Sequence, residues 1–73
     1  MNAAQCRMAR AALQLGVREL AAKAKVSPAT IVRFEASEEL RERTVDAIRA
    51  ALEAAGVEFT NGGQPGVRMR KQK

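Results

Sequence analysis

The chain begins with two segments in which apolar residues recur at helical spacing. Residues 3–14 are rich in Ala, Arg and Gln, which favour helices. A second, shorter helix is expected from about Val17 to Lys23, with Gly16 at its cap position. The residues expected on the inner faces of these two helices are Cys6, Ala9 and Leu13, followed by Leu20, Ala21 and Ala24.

The strongest helix start signal in the chain is Ser27 followed by Pro28. Serine is a favoured N-cap residue, and proline is favoured at the first helical position. A third helix is therefore expected to begin here and to end near residues 35–37, with Ile31 and Phe34 facing inward.

A fourth helix is predicted at residues 42–55, followed by Gly56 where a left-handed C-terminal cap is expected. Its apolar repeat consists of Val45, Ile48, Leu52 and Ala55. After Gly56 the apolar period changes to two, and residues 61–66 between the alternating runs are dense in turn formers. The sequence thus predicts a mainly α protein, with four helices in 1–56 and a C-terminal β-hairpin and basic tail in 57–73. Arg68 is expected in a strand, and the chain from Lys71 onward is expected to be frayed.

The net charge of +5 is divided into blocks along the chain. Residues 7–33 contain six basic residues and one acidic residue, residues 34–58 three basic and seven acidic, and residues 59–73 four basic. Such segregation gives the chain a preferred side for a polyanion. The acidic set is interpreted as a solvated face that keeps DNA on the opposite side, because it lacks the spacing of a cation-binding loop: Glu38, Glu39, Glu42 and Asp46.

Several classes of protein are disfavoured by composition. The chain has no histidine, and its single cysteine, Cys6, lies on an apolar stripe and is interpreted as a core residue. The chain also lacks a Gly-rich phosphate loop. We therefore expect no enzyme activity, no cofactor and no metal site. No apolar run approaches the roughly 20 residues of a membrane span, and no signal peptide is recognisable. We expect a cytoplasmic protein that does not bind membranes.

Residues 17–35 have the dimensions of a helix-turn-helix, in which two short helices are joined by three or four residues. The apolar side chains expected to clamp the two helices are Leu20, Ala24, Val26, Ile31 and Phe34, with the small Ala21 where the helices cross. From about Cys6 to Leu52 the chain resembles the Cro/CI-type (XRE family) helix-turn-helix regulators of bacteria, in their short single-domain form. The resemblance implies a lambda-repressor-like fold and a structural ion pair between Arg10 and Glu35.

Two positions depart from the family pattern. Lys25 occupies the turn position that is usually Gly and has a positive φ, where a larger residue costs ~1 kcal/mol. Val17 occupies a position that is often Gln or Ser, whose side chains touch DNA. We therefore expect the backbone N–H of Val17, rather than its side chain, to contribute.

The resemblance implies a sequence-specific double-stranded DNA-binding regulator, a repressor, that reads the major groove with the helix beginning at Ser27. Arg33 is the predicted base reader, because its planar guanidinium can pair with guanine O6 and N7. The full set of predicted DNA contacts is Arg18, Lys23, Lys25, Ser27, Pro28, Ala29, Thr30, Val32 and Arg33. No effector domain is apparent, so no small-molecule effector is expected.

The hairpin is the predicted element of assembly. Its apolar face, which consists of Val57, Phe59, Val67 and Met69, can pack on the fourth helix or extend the strands of a second copy. Since family members commonly bind pseudo-palindromes with half-sites ~10 bp apart, a homodimer through the fourth helix and these strands is expected. The alternative is a protein-binding module, an antitoxin or anti-activator, that sequesters a partner through residues 57–73.

Overall fold

A computed structural model describes residues 1–60 and 66–69 of the chain. In order, the elements are α1 (Ala3–Leu13), α2 (Val17–Ala24), α3 (Pro28–Glu35), α4 (Glu42–Ala55), β1 (Val57–Thr60) and β2 (Gly66–Met69). The prediction of a mainly helical chain with four helices and a C-terminal hairpin is confirmed. The predicted loop at 61–65 and the predicted fraying from Lys71 onward lie outside the described residues.

The ends of the helices follow from local chemistry. Asn2 and Gln5 form a capping box at the start of α1, in which the Gln5 N–H donates to Asn2 Oδ1 (2.8 Å) and the Asn2 N–H donates to Gln5 Oε1 (2.9 Å). Gly56 ends α4 in the left-handed region, at φ 118°, as predicted.

The core lies where the four helices and β1 meet. Its fully buried larger side chains are Leu20, Ile31, Ile48, Leu52 and Val57, and the small Cys6, Ala9 and Ala21 fill the closest approaches. With few large side chains available, burial of each Leu or Ile supplies about 1.5–3 kcal/mol of stabilisation. The inward positions predicted for α2 and α3 are confirmed as buried, whereas the predicted Leu13 of α1 and Val45 and Ala55 of α4 are only partly buried.

The hairpin packs against α1 and α4 of its own chain. Its strands are antiparallel, with Val57 opposite Met69 and Phe59 opposite Val67. The predicted apolar face is unevenly buried, because Val57 has no exposed surface whereas Met69 is 49% exposed. Val57 is thus part of the chain's own core and cannot contact a second copy as the sequence predicted.

Gln5 connects the hairpin to α1. Its side chain is only 2% exposed, and its Nε2 donates to the carbonyl oxygens of Thr60 (3.2 Å) and Gly66 (3.0 Å). These two residues are paired with each other at the end of the strands that adjoins residues 61–65. One buried amide therefore holds both strands at that end of the sheet.

Candidate nucleic-acid interface

The turn between α2 and α3 has the backbone geometry that the sequence predicts. Lys25 lies in the left-handed region (φ 60°, ψ 43°), and its N–H donates to Ala22 O (3.3 Å). The Val26 N–H donates to Ala21 O (3.0 Å), which closes the end of α2. The chain reverses within three residues, so α3 packs directly on α2.

Ser27 caps α3, as predicted. Its Oγ accepts a hydrogen bond from the Thr30 N–H (3.2 Å) and lies 2.9 Å from Thr30 Oγ1, so the two hydroxyls are also hydrogen bonded. The Thr30 hydroxyl is therefore engaged within the cap. This leaves Arg33 as the polar side chain of α3 best placed to reach an outside group.

The outer side of α3 is open to solvent. Pro28, Ala29, Val32 and Arg33 are exposed, and Val32 is 56% exposed despite being apolar. Ile31 and Phe34, on the other side of the helix, are buried in the core. The exposed side thus combines one long cation with small apolar groups, a surface suited to a guanine edge flanked by thymine methyl groups.

Two other predicted contact residues, Arg18 and Lys25, lie at either end of α2 and are exposed. The one carboxylate of α2, Glu19, accepts a hydrogen bond from the Gly16 N–H (3.0 Å). Arg18 and Lys25 therefore add positive charge at the two ends of α2, and Arg33 adds one on the exposed side of α3. Val17 is half-buried and begins α2, which agrees with a contribution from its backbone rather than its side chain.

Lys23 lies elsewhere. It lines a groove of about 250 Å³ with Ala51, Ala54 and Ala55 of α4. Five residues along a helix correspond to about 140° around its axis, so Lys23 and Arg18 lie on different flanks of α2. We therefore leave Lys23 outside the candidate interface, although the sequence placed it among the phosphate contacts.

The C-terminal end of α3 is held by α1 through Glu35. Arg10 binds the Glu35 carboxylate with two hydrogen bonds, from Nε to Oε2 and from Nη2 to Oε1, each 2.8 Å. The expected ion pair is therefore present, and the Glu35 side chain is only 11% exposed. Bidentate charge-assisted pairs of this kind are among the stronger hydrogen bonds in proteins.

Two further donors converge on Glu35 that the sequence did not predict. The Cys6 thiol donates to Oε2 (3.4 Å), and Arg7 Nη1 donates to the Glu35 carbonyl oxygen. Arg7 and Arg10 are one turn apart on α1, so helical spacing places them on the same face. The sequence alone does not show that α3 lies against this face. Arg10 Nη1 also donates to Leu15 O (3.2 Å), so the cluster reaches the α1–α2 connection.

The same contacts govern the ionisation of the cluster. The hydrogen bonds from Arg10 hold the pKa of Glu35 below its ordinary value, against the opposing effect of burial. Burial, with a smaller contribution from the neighbouring Glu35, raises the pKa of Cys6 to about 12. At neutral pH Glu35 is a carboxylate and Cys6 is a thiol, which is the combination that lets the thiol donate.

The acidic residues that follow α3 are exposed, namely Glu38, Glu39, Glu42 and Asp46. Within residues 1–60 and 66–69, no group of three or more His, Cys, Asp or Glu side chains is arranged to hold a metal ion. None of the helices described is long and apolar enough to cross a membrane.

Comparison of the chain with protein-family models and with curated proteins yields no match.

Proposed function

We propose that the protein is a sequence-specific double-stranded DNA-binding regulator with a lambda-repressor-like fold, similar to the XRE family, and that it acts as a repressor. In this proposal α3 enters the major groove with its exposed side toward the bases. Arg18 and Lys25 bind phosphates on either side, and the Val17 N–H adds a backbone contact.

The observation that carries this proposal is the two-sided character of α3. Ile31 and Phe34 anchor one side in the core, while Ala29, Val32 and Arg33 are exposed on the other. A helix of eight residues has no need of an exposed Val32 for folding, because burial is what makes an apolar side chain stabilising. Contact with thymine methyl groups would give this side chain a role.

A second support is that both ends of α3 are held in place by hydrogen bonds. Ser27 fixes the first turn of α3, and Arg10 fixes the last residue through Glu35. A reading helix held at both ends presents its side chains in one geometry, which lowers the ordering cost of binding. The basic residues around it supply attraction to DNA that does not depend on sequence.

Arg33→Ala tests the proposal. A duplex selected by the wild-type protein from a random pool is compared with an unrelated duplex of the same length. We expect the variant to bind the selected duplex ~1–3 kcal/mol more weakly, with a smaller loss on the unrelated one. Equal losses on both duplexes would assign Arg33 to phosphates rather than bases.

Arg43→Ala is the matched control, because Arg43 is an exposed arginine on α4, among the acidic residues. It removes the same charge, and we expect both affinities to stay within about twofold of wild type, since exposed charges outside an interface contribute little. If wild-type protein selects no duplex but co-purifies stably with another protein, the proposal gives way to the alternative of an antitoxin or anti-activator.

We further propose that the protein binds a pseudo-palindromic operator as a homodimer. A single α3 offers one long polar base reader, which is little for selecting one site among many. Two copies on half-sites ~10 bp apart would double the number of base contacts.

A further inference from the structure

The exposed side of α3 has two flanks that differ in chemistry. A helix turns by about 100° per residue, so relative to Ala29 the side chain of Arg33 lies about 40° to one side and that of Val32 about 60° to the other. Ile31 and Phe34 lie on the far side of the helix, in agreement with their burial. Val32 and Arg33 therefore follow each other in the sequence but face in different directions.

The flank that carries Val32 offers an outside group no hydrogen-bonding side chain. Pro28 lies beside Val32 on this flank and also lacks a backbone N–H. Glu35 follows one turn later, but its side chain is 11% exposed and its carboxylate accepts hydrogen bonds from Arg10 and Cys6. Since Val32 itself is 56% exposed, this flank can recognise a base edge only by apolar contact.

The middle of the exposed side allows α3 to approach the bases closely. Ala29 is exposed and ends in a single methyl group, and the Thr30 hydroxyl lies 2.9 Å from Ser27 Oγ within the helix cap. No long side chain of the first turn therefore keeps the helix away from the floor of a groove. Close approach is required for a contact by Val32, because a valine side chain is much shorter than that of an arginine.

The apolar group that base edges present in the major groove is the methyl group at C5 of thymine. Cytosine has a hydrogen atom at this position, and 5-methylcytosine has the same methyl group as thymine on the same ring carbon. An apolar side chain gains equally from either base, because the gain follows the apolar area removed from water. The chemistry recognised is thus a C5-methylated pyrimidine, whether thymine or 5-methylcytosine.

We propose that Val32 contacts the C5 methyl group of a pyrimidine on the strand opposite the guanine bound by Arg33. Methylation of cytosine at this position then strengthens binding. The two flanks of a helix lying in the major groove face the two strands, which places the two contacts on different strands. The inference rests on the proposed function and adds a property to it, namely that the protein distinguishes methylated from unmethylated DNA.

The experiment begins by locating the guanine. Wild-type protein selects a duplex from a random pool, and each guanine in it is replaced in turn with 7-deazaguanine, which lacks the N7 acceptor. The guanine bound by Arg33 is the one whose replacement weakens binding by the wild type but not by Arg33→Ala. This comparison fixes the base pair from which the position of the methyl group is counted.

The methyl group is tested at that base pair and at its two neighbours, on both strands. Each thymine is exchanged for deoxyuridine and each cytosine for 5-methylcytosine, so that only one methyl group is removed or added. We expect one position, on the strand opposite the guanine, where the wild type binds the methylated base about fourfold more tightly, the gain from burying one methyl group. At that position cytosine and 5-methylcytosine are then compared, whichever base was selected.

Val32→Ala identifies the side chain responsible. Val32 is exposed and alanine favours helices, so the fold is expected to be retained. We expect this variant to bind the methylated and unmethylated duplexes equally, because the shorter side chain no longer reaches the methyl group. Met8→Ala is the control and should keep the wild-type ratio, since Met8 is an apolar residue of α1, 40% exposed, outside the candidate interface.

The outcomes separate this inference from the proposed function. A wild type that selects a duplex but shows no methyl response overturns the inference and leaves the function standing. A response that persists in Val32→Ala, or that lies on the strand of the guanine, also overturns it, as does the absence of a guanine that depends on Arg33. A response to deoxyuridine without one to 5-methylcytosine overturns the sensitivity to cytosine methylation. A protein that selects no duplex overturns the function as well.

Discussion

At the scale of single residues, Glu35 combines more interactions than any other side chain of the candidate site. It receives hydrogen bonds from Arg10 and Cys6, and its backbone carbonyl receives one from Arg7. Its carboxylate is nearly buried, so it is stable only because these donors replace water. Glu35 therefore fixes the last residue of α3 to α1, at the opposite end of the helix from the Ser27 cap.

Glu35→Gln is predicted to destabilise the protein by about 2 kcal/mol at pH 7, because a charge-assisted bidentate contact becomes a neutral one. Since Arg10 holds the pKa of Glu35 below 4.5, the wild-type carboxylate stabilises the fold fully above that value. This stabilisation is lost as the pH falls through the lower pKa of the folded state. The urea midpoints of wild type and variant should thus differ at pH 7, and the difference should become smaller at pH 3.

The control for this prediction is Glu39→Gln, which neutralises an exposed glutamate in the α3–α4 connection. We expect its effect to stay within about 0.5 kcal/mol at both pH values. A gap between wild type and Glu35→Gln that persists unchanged at pH 3 would contradict the role assigned to the Glu35 charge.

At the scale of elements, the hairpin depends on α1 through Gln5. The sequence marked residues 3–14 as a helix with one apolar stripe, and Gln5 was simply a helix-forming polar residue in it. Its burial could not be predicted, because it depends on where the hairpin lies and on which carbonyl groups the hairpin turns toward α1. Local patterns locate the elements and their inner faces, but contacts between distant segments arise from packing.

Gln5→Met is predicted to loosen the hairpin. Methionine has a similar length, but it leaves the carbonyl oxygens of Thr60 and Gly66 without the amide donor, and it also removes the acceptor of the Asn2 N–H at the start of α1. An unsatisfied buried polar group costs about 1–3 kcal/mol. Amide hydrogen exchange should accelerate at residues 57–60 and change little in α2 and α3.

Gln14→Met is the matched control for this prediction, because Gln14 is an exposed glutamine just after α1. It makes the same substitution without contact to the hairpin, so hydrogen exchange at residues 57–60 should remain at the wild-type rate, and loss of the α1 capping box in Gln5→Met is read separately from exchange at the start of α1. Uniform acceleration throughout the chain in Gln5→Met would instead show that the amide supports the whole fold rather than the hairpin.

At the scale of the whole molecule, two lysines show which features of the interface can be predicted from the sequence and which cannot. Lys23 and Lys25 are both exposed and lie at the same end of α2. Helical periodicity identifies both as solvent-facing, but it does not tell which flank of α2 meets α4. The structure puts Lys23 in the groove with Ala51, Ala54 and Ala55, and Lys25 in the turn that leads into α3.

The salt dependence of DNA binding should distinguish the two lysines. A protein that loses one phosphate contact loses about 0.9 from the slope of log K against log salt, so Lys25→Gln in a homodimer should lower the slope by about 1.8. Glutamine replaces one non-glycine residue by another at φ 60°, so we expect the fold to be retained. The loss should be the same on selected and unrelated duplexes, since phosphates carry no sequence information.

Lys23→Gln makes the same charge change two residues away and should leave the slope at its wild-type value. Because both variants lower the net charge equally, general attraction between the protein and DNA changes by the same amount in each. A larger reduction for Lys25→Gln then indicates that Lys25 lies closer to the phosphates than Lys23 does. Equal reductions in slope would place Lys23 in the interface beside Lys25, and would mean that DNA extends over the α2–α4 groove as well as over α3.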